Sequence, residues 1–200
     1  PYKASSITDF WRRWHISLSS WLKNYLYIPL GGNRLGALRT YFNLLIVMVL
    51  GGLWHGASWN FVIWGGIHGF MLGLERFHGK NGPFHRLPAF IQIGFTFLLV
   101  TFSWVFFRSS DLSSAITYCR SMAGIGHTLP SSSLIAGVIY QPYYLGSFLL
   151  AAIVIWTAPQ TWDWTRRLTV GKAIVILILF WLSVIVMTGQ SYNPFIYFNF

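Results

Sequence analysis

Long uncharged apolar blocks separated by short polar breaks run along this chain, and their spacing predicts its elements. From Thr40 to Leu74 there is no Asp, Glu, Lys or Arg. Inside that window two apolar stretches, 41–54 and 59–74, flank the break His55-Gly56-Ala57-Ser58. As helices rising about 1.5 Å per residue they would reach about 21 and 24 Å, short of a hydrocarbon core of roughly 30 Å. Residues 88–107 are long enough for a full span, while 143–158 and 173–188 lie near the lower limit. Residues 111–123 read as a short amphipathic surface helix beginning at Asp111. Upstream, 5–30 is amphipathic as well. Trp11, His15, Leu18, Leu22 and Tyr25 recur at spacings of three and four, and Arg13, Ser17, Ser20 and Asn24 form a second, polar stripe. Thr8 or Asp9 is placed to cap its start, and Pro29 with Gly31-Gly32 ends it.

The pattern predicts an all-α, polytopic transmembrane protein with a re-entrant or broken helical region and amphipathic interfacial helices. Composition points the same way: 54% of residues are hydrophobic, 9% are charged, and there are eleven Trp, against about 25% charged in a soluble domain. The formal charge of +10 does not form a stripe. The basic residues are scattered between apolar spans, so membrane lipid and topology account for them and no nucleic-acid partner is expected. The single Cys119 excludes an intramolecular disulfide and a Cys-based zinc site.

Lys/Arg density then suggests an orientation. Loop 75–87 holds Arg76, Lys80 and Arg86, and loop 159–172 holds Arg166, Arg167 and Lys172, whereas the longer 108–142 holds Arg108 and Arg120. The first two are expected on the cytoplasmic side and the third outside. The N-terminal block, with Lys3, Arg12, Arg13, Lys23, Arg34 and Arg39, is expected inside too. Region 40–75 must then enter the membrane and return, with His55 at the turn. Irregular backbone at membrane depth is tolerated where it is buried in protein or lines a wet cavity. Residues 189–200 end on the external side.

His55 is the first candidate for chemistry. Ionisable groups within the membrane are costly and usually functional, and an imidazole withdrawn from water favours its neutral, proton-accepting form. Gly51, Gly52 and Gly56 leave room for a ligand to approach, and Trp54 and Trp59 are placed to wall the site. A core histidine bonded to a backbone carbonyl fits the residues equally well. His15 lies on the apolar stripe, a position more often structural. His68, in "WGGIHGF", is expected to pack helices, and His78, His85 and His127 fall in loops. No HxH, HExxH or carboxylate cluster supports a metal, and no P-loop, dinucleotide-binding glycine motif or GxSxG elbow is present. The tail "NPFIYFNF" offers Tyr197 either as an interfacial anchor or as a nucleophile folded back into a cavity. A multi-pass transporter or channel component, with 40–75 lining the substrate path, remains an alternative on these residues.

"DFWRRWHISLSSWLKNYLYIPLGGNR" followed by "LGGLWHGASWNFVIWGGIHG", with "PFIYFNF" at the tail, resembles the membrane-bound O-acyltransferases, in particular the branch that O-acetylates alginate and other polysaccharides. The resemblance implies that His55 in "LWHG" is catalytic and that His15 in "RRWHISLS" is the second characteristic position. Asp9 and Arg13 fall in the same motif, where they would orient His15, and Trp54 and Asn60 would line the site. Tyr197 would accept the acyl group before an extracytoplasmic acetyltransferase partner takes it. No cofactor is expected to be resident; acetyl-CoA is the expected acyl donor, and the location is the cell inner membrane. Family members are about twice as long, so residues 1–200 are expected to be the C-terminal part of one membrane domain, with 189–200 its extracytoplasmic aromatic tail.

Overall fold

The computed structural model describes residues 1–79, 82–125, 137 and 139–189. All the regular elements among these residues are helical: α1 (Ile7–Arg13), α2 (Ile16–Leu22, continued by a π-turn over Lys23–Tyr27), α3 (Ala37–His55), α4 (Trp59–His78), a 3-10 turn (Pro83–Arg86), α5 (Ala89–Arg108), α6 (Leu112–Met122), α7 (Pro142–Thr157), α8 (Thr161–Thr165) and α9 (Val170–Thr188). Three of them, α3, α5 and α9, are long and apolar enough to cross a membrane. The chain divides into two compact units, Pro1–Leu150 and Ala151–Phe200.

In the first unit α3 and α4 form an antiparallel hairpin in which glycine replaces side-chain bulk at the crossing. A Cβ at Gly65 would stand 2.3 Å from the Met48 carbonyl oxygen, and one at Gly69 would stand 2.8 Å from Leu45 Cα. A Cβ at Gly52 would meet the Phe61 carbonyl oxygen at 2.2 Å. Small residues let two backbones touch, which is how helices associate where lipid offers no hydrophobic drive between them. The glycines at 51, 52 and 56 therefore admit protein and not a ligand: Leu22 lies against Gly51, and Phe61 fills the space at Gly52 and Gly56. The two helices are also longer than their apolar cores suggest. With 19 and 20 residues they extend about 28 and 30 Å, close to a full hydrocarbon thickness. His55 ends α3, at the level where α4 begins and α5 finishes.

The stripe read over 5–30 is folded in two. Ser6, rather than Thr8 or Asp9, caps α1, its side chain accepting from the Asp9 amide at 3.1 Å. The Glu75 carboxylate, near the far end of α4, accepts the amides of Ile7 and Thr8. An anion on the first free amides of a helix also complements its dipole. α1 then runs beside α4 until His15, whose φ of 47° and ψ of 48° place it in the left-handed region. That one residue reverses the chain, and α2 returns along α3: Leu22 sits at Gly51. The Asn43 amide then donates to the carbonyls of Leu30 and Gly32, at 3.1 and 3.0 Å, in the turn after the π-segment. The α1–α2 pair is thus a helical hairpin laid on the α3–α4 hairpin, with His15 at its tip. Ala4, Ile7, Phe10 and Val100 form the buried cluster that fixes it between α4 and α5.

In the second unit, the first turn of α9 is tied to α8. The Lys172 ammonium donates to the carbonyls of Trp164 and Arg167, at 2.6 and 3.1 Å, and lies over the Trp164 ring. Thr169 caps α9.

Candidate functional site

The two histidines singled out by the sequence meet. His15, at the tip of the α1–α2 hairpin, and His55, at the end of α3, have ring centroids 6.2 Å apart. Trp54 touches both, at 6.2 Å from His15 and 4.9 Å from His55. The other walls around His55 are aromatic: Phe107 at 4.9 Å, Trp64 at 5.7 Å and Phe61 at 6.2 Å. The ring is half-buried and not sealed, because Trp54 is 62% exposed and His15 is exposed as well. The site therefore has an enclosed aromatic back and an open front at the hairpin tip.

Of the other expected lining residues, Asn60 is fully buried. Its side-chain amide donates to the Ser109 carbonyl at 2.9 Å, which joins the start of α4 to the end of α5. Asp9 and Arg13 pair with each other at 2.8 Å along α1, and Asp9 also accepts the Ser5 amide at 3.2 Å. Partial burial works to raise the Asp9 carboxyl; the Arg13 hydrogen bond, the Ser5 amide and the nearby Arg12 and Arg13 charges outweigh it, so its pKa lies below the usual carboxylate value. The pair spans one turn of α1, two residues short of His15. Tyr197 and His127 lie outside the described residues.

His68 has the structural role expected of it, and its protonation can be read from its partners. Trp11 donates its indole N–H to His68 Nδ1 at 3.2 Å, so Nδ1 accepts and the proton sits on Nε2. Nε2 lies 3.0 Å from Ser103 Oγ, and that hydroxyl donates to the Val100 carbonyl at 2.7 Å. The resulting Trp11–His68–Ser103 chain links α1, α4 and α5 with every link satisfied. Trp64 is clamped between this chain and the site, 4.9 Å from His68 and 5.8 Å from Trp11. Sequence reasoning did not identify Trp64 or Phe107 as walls of the site. Asn60, Trp64 and His68 do fall at successive spacings of four, a stripe that marks one face of α4; nothing local marks Phe107.

The family model for MBOAT, the membrane-bound O-acyltransferase family, matches residues 2–108, a stretch that begins at the foot of the α1–α2 hairpin and ends with α5. The whole chain is 40% identical to a probable alginate O-acetylase of Pseudomonas putida, of which it covers 45%. Over 62% of its length it is 49% identical to a peptidoglycan O-acetyltransferase of Helicobacter pylori, covering 24% of that protein. It is 28% identical over 54% of its length to a teichoic acid D-alanyltransferase of Bacillus subtilis, covering 29% of it. The chain spans about half the length of the alginate-type relatives it matches.

Proposed function

The chain belongs to the membrane-bound O-acyltransferase family, and we propose that it serves as the catalytic part of a membrane-embedded O-acetyltransferase. In this reading it passes an acetyl group from a cytoplasmic thioester, acetyl-CoA, toward O-acetylation of an exported or cell-surface polysaccharide of the alginate type. The observation that carries the reading is the meeting of His15 and His55, distant in sequence and on different hairpins, at 6.2 Å beside a cluster of aromatic rings.

His55 is the general base. Its neutral imidazole takes the proton of the incoming hydroxyl as that oxygen attacks the thioester carbonyl. A C–O bond forms and the C–S bond breaks. The proton then passes from the imidazolium to the departing thiolate, which leaves as a thiol. His15, facing the same space, donates to the tetrahedral oxyanion, with the indole N–H groups of Trp54 and Trp64 as further donors beside His55. Trp54, against both rings, walls the site. Asn60 and the Asp9–Arg13 pair hold the elements on which the two histidines stand.

Tyr197 is assigned as the hydroxyl that first receives the acetyl group. The resulting O-acetyl tyrosine lies on the external side of the cell inner membrane, where an extracytoplasmic acetyltransferase moves the group to sugar hydroxyls. Relatives named for alginate, peptidoglycan and teichoic acid support a cell-surface polymer as the final acceptor.

The test uses the full-length protein in membranes supplied with acetyl-CoA carrying a labelled acetyl group. Label should reach the protein and then the polymer. His55→Ala should abolish both with normal membrane insertion, and Tyr197→Phe should abolish delivery to polymer. Full transfer by His55→Ala overturns the mechanism, and full delivery by Tyr197→Phe returns that residue to the role of an anchor.

A further inference from the structure

A cleft of about 430 Å³ separates the two arms of the α1–α2 hairpin above the α3–α4 pair. Its floor is aliphatic: Leu44, Val47 and Met48 from α3, and Leu72 from α4. Its edges carry Arg12 from α1 and Lys23 from the π-turn, and no carboxylate lines it. Both cations are exposed. Neither forms an ion pair among the described residues, where Arg13 and Asp9 make the pair that is present. Asp9 feels the Arg12 charge, but its two oxygens already accept from Arg13 and the Ser5 amide.

Two exposed cations thus stand over an apolar floor, neither of them in an ion pair among the described residues. We infer that this cleft binds an acidic phospholipid of the surrounding bilayer, its phosphate held between Arg12 and Lys23 and one acyl chain laid along the floor. The charge selects an anion over a zwitterionic lipid. The Leu–Val–Met floor selects an alkyl chain, for which a free phosphorylated metabolite has no counterpart. The bilayer is also the solvent of these helices and presents such lipid at high local concentration. The bound lipid would brace the hairpin whose tip carries His15. The inference does not depend on the acyltransferase reading, because its test measures lipid and not acetyl transfer.

Full-length protein is exchanged into mixed phosphatidylglycerol and phosphatidylcholine, and retained lipid is measured by native mass spectrometry. Phosphatidylglycerol should be retained preferentially. Each basic contact near a headgroup is worth roughly fivefold in binding, so the Arg12→Gln, Lys23→Gln double variant should lose about twenty-five-fold of that preference. In the wild type, phosphatidylglycerol with a photoreactive acyl chain should label the peptide that contains Leu44, Val47 and Met48, a readout that stands even if the double variant folds poorly. Equal retention of phosphatidylcholine, unchanged preference in a folded double variant, or labelling confined to other helices overturns the proposal. Competitive displacement of the lipid by acetyl-CoA also overturns it and gives the cleft to the donor.

Discussion

Adjacent glycines on α4 give a sharp test of how the site is held. At Gly65 an added Cβ would stand 2.3 Å from the Met48 carbonyl oxygen and 2.8 Å from Val49 Cα. Both are backbone atoms and cannot turn aside as a flexible side chain would. Ordinary contact begins near 3.4 Å, so α3 and α4 must part by about 1 Å to accept Gly65→Ala, a strain worth about 1–3 kcal/mol for overpacking. The separation falls between His55 on α3 and Trp64 on α4, and a shift of about 1 Å in a catalytic constellation can cost on the order of a hundredfold in rate. At Gly66 a Cβ meets nothing within 4 Å. Gly66→Ala should therefore be neutral, or stabilising by up to about 1 kcal/mol through helix propensity. Thermal unfolding of the two full-length variants in detergent, beside their acetyl-transfer rates, separates the cases. Equal stability and equal activity of Gly65→Ala and Gly66→Ala would refute the close-packed crossing.

Three further outcomes follow from the same geometry. Ser103→Ala removes the partner of His68 Nε2–H in a fully buried position and should cost about 1–3 kcal/mol, read as a lowered unfolding midpoint; an unchanged midpoint counts against the assigned tautomer chain. His15→Gly takes the left-handed conformation without steric cost, so it should raise stability by about 1 kcal/mol while reducing acetyl transfer, and a variant that gains neither stability nor a defect removes His15 from the mechanism. The Asp9 carboxyl titrates below its usual 3.8 in the folded chain, so its stabilising contribution is complete above the unfolded value and is lost as pH falls through the lower folded one. Acid titration followed by Trp fluorescence should show a loss below pH 3.8 that Asp9→Asn no longer displays, and coincident acid curves would contradict the Asp9–Arg13 arrangement.

The resemblance to acyltransferases was carried by local words, "RRWHISLS" and "LWHGASWNF", and the family match spans both of them. Helix content and span-length segments were equally local. They follow from uninterrupted apolar length, and the Gly-Ala-Ser break after His55 stops α3 where the sequence suggests. Asp111 likewise starts α6, its carboxylate accepting the Ser114 amide at 2.8 Å. Such features depend on residues within a turn or two of one another.

What tertiary structure decided lies beyond that range. Trp11, His15, Leu18 and Leu22 keep a helical spacing through the point where the chain reverses, so periodicity cannot show that His15 breaks the helix. A non-glycine residue in the left-handed region persists only where contacts elsewhere compensate. Here those contacts are Glu75 on the α1 amides, Trp11 on His68 and Leu22 on Gly51, each between segments far apart in sequence. The glycines of α3 and α4 show the same division. Their identity is plain in the sequence, but only the crossing of the two helices reveals that backbone, not ligand, fills the space they leave.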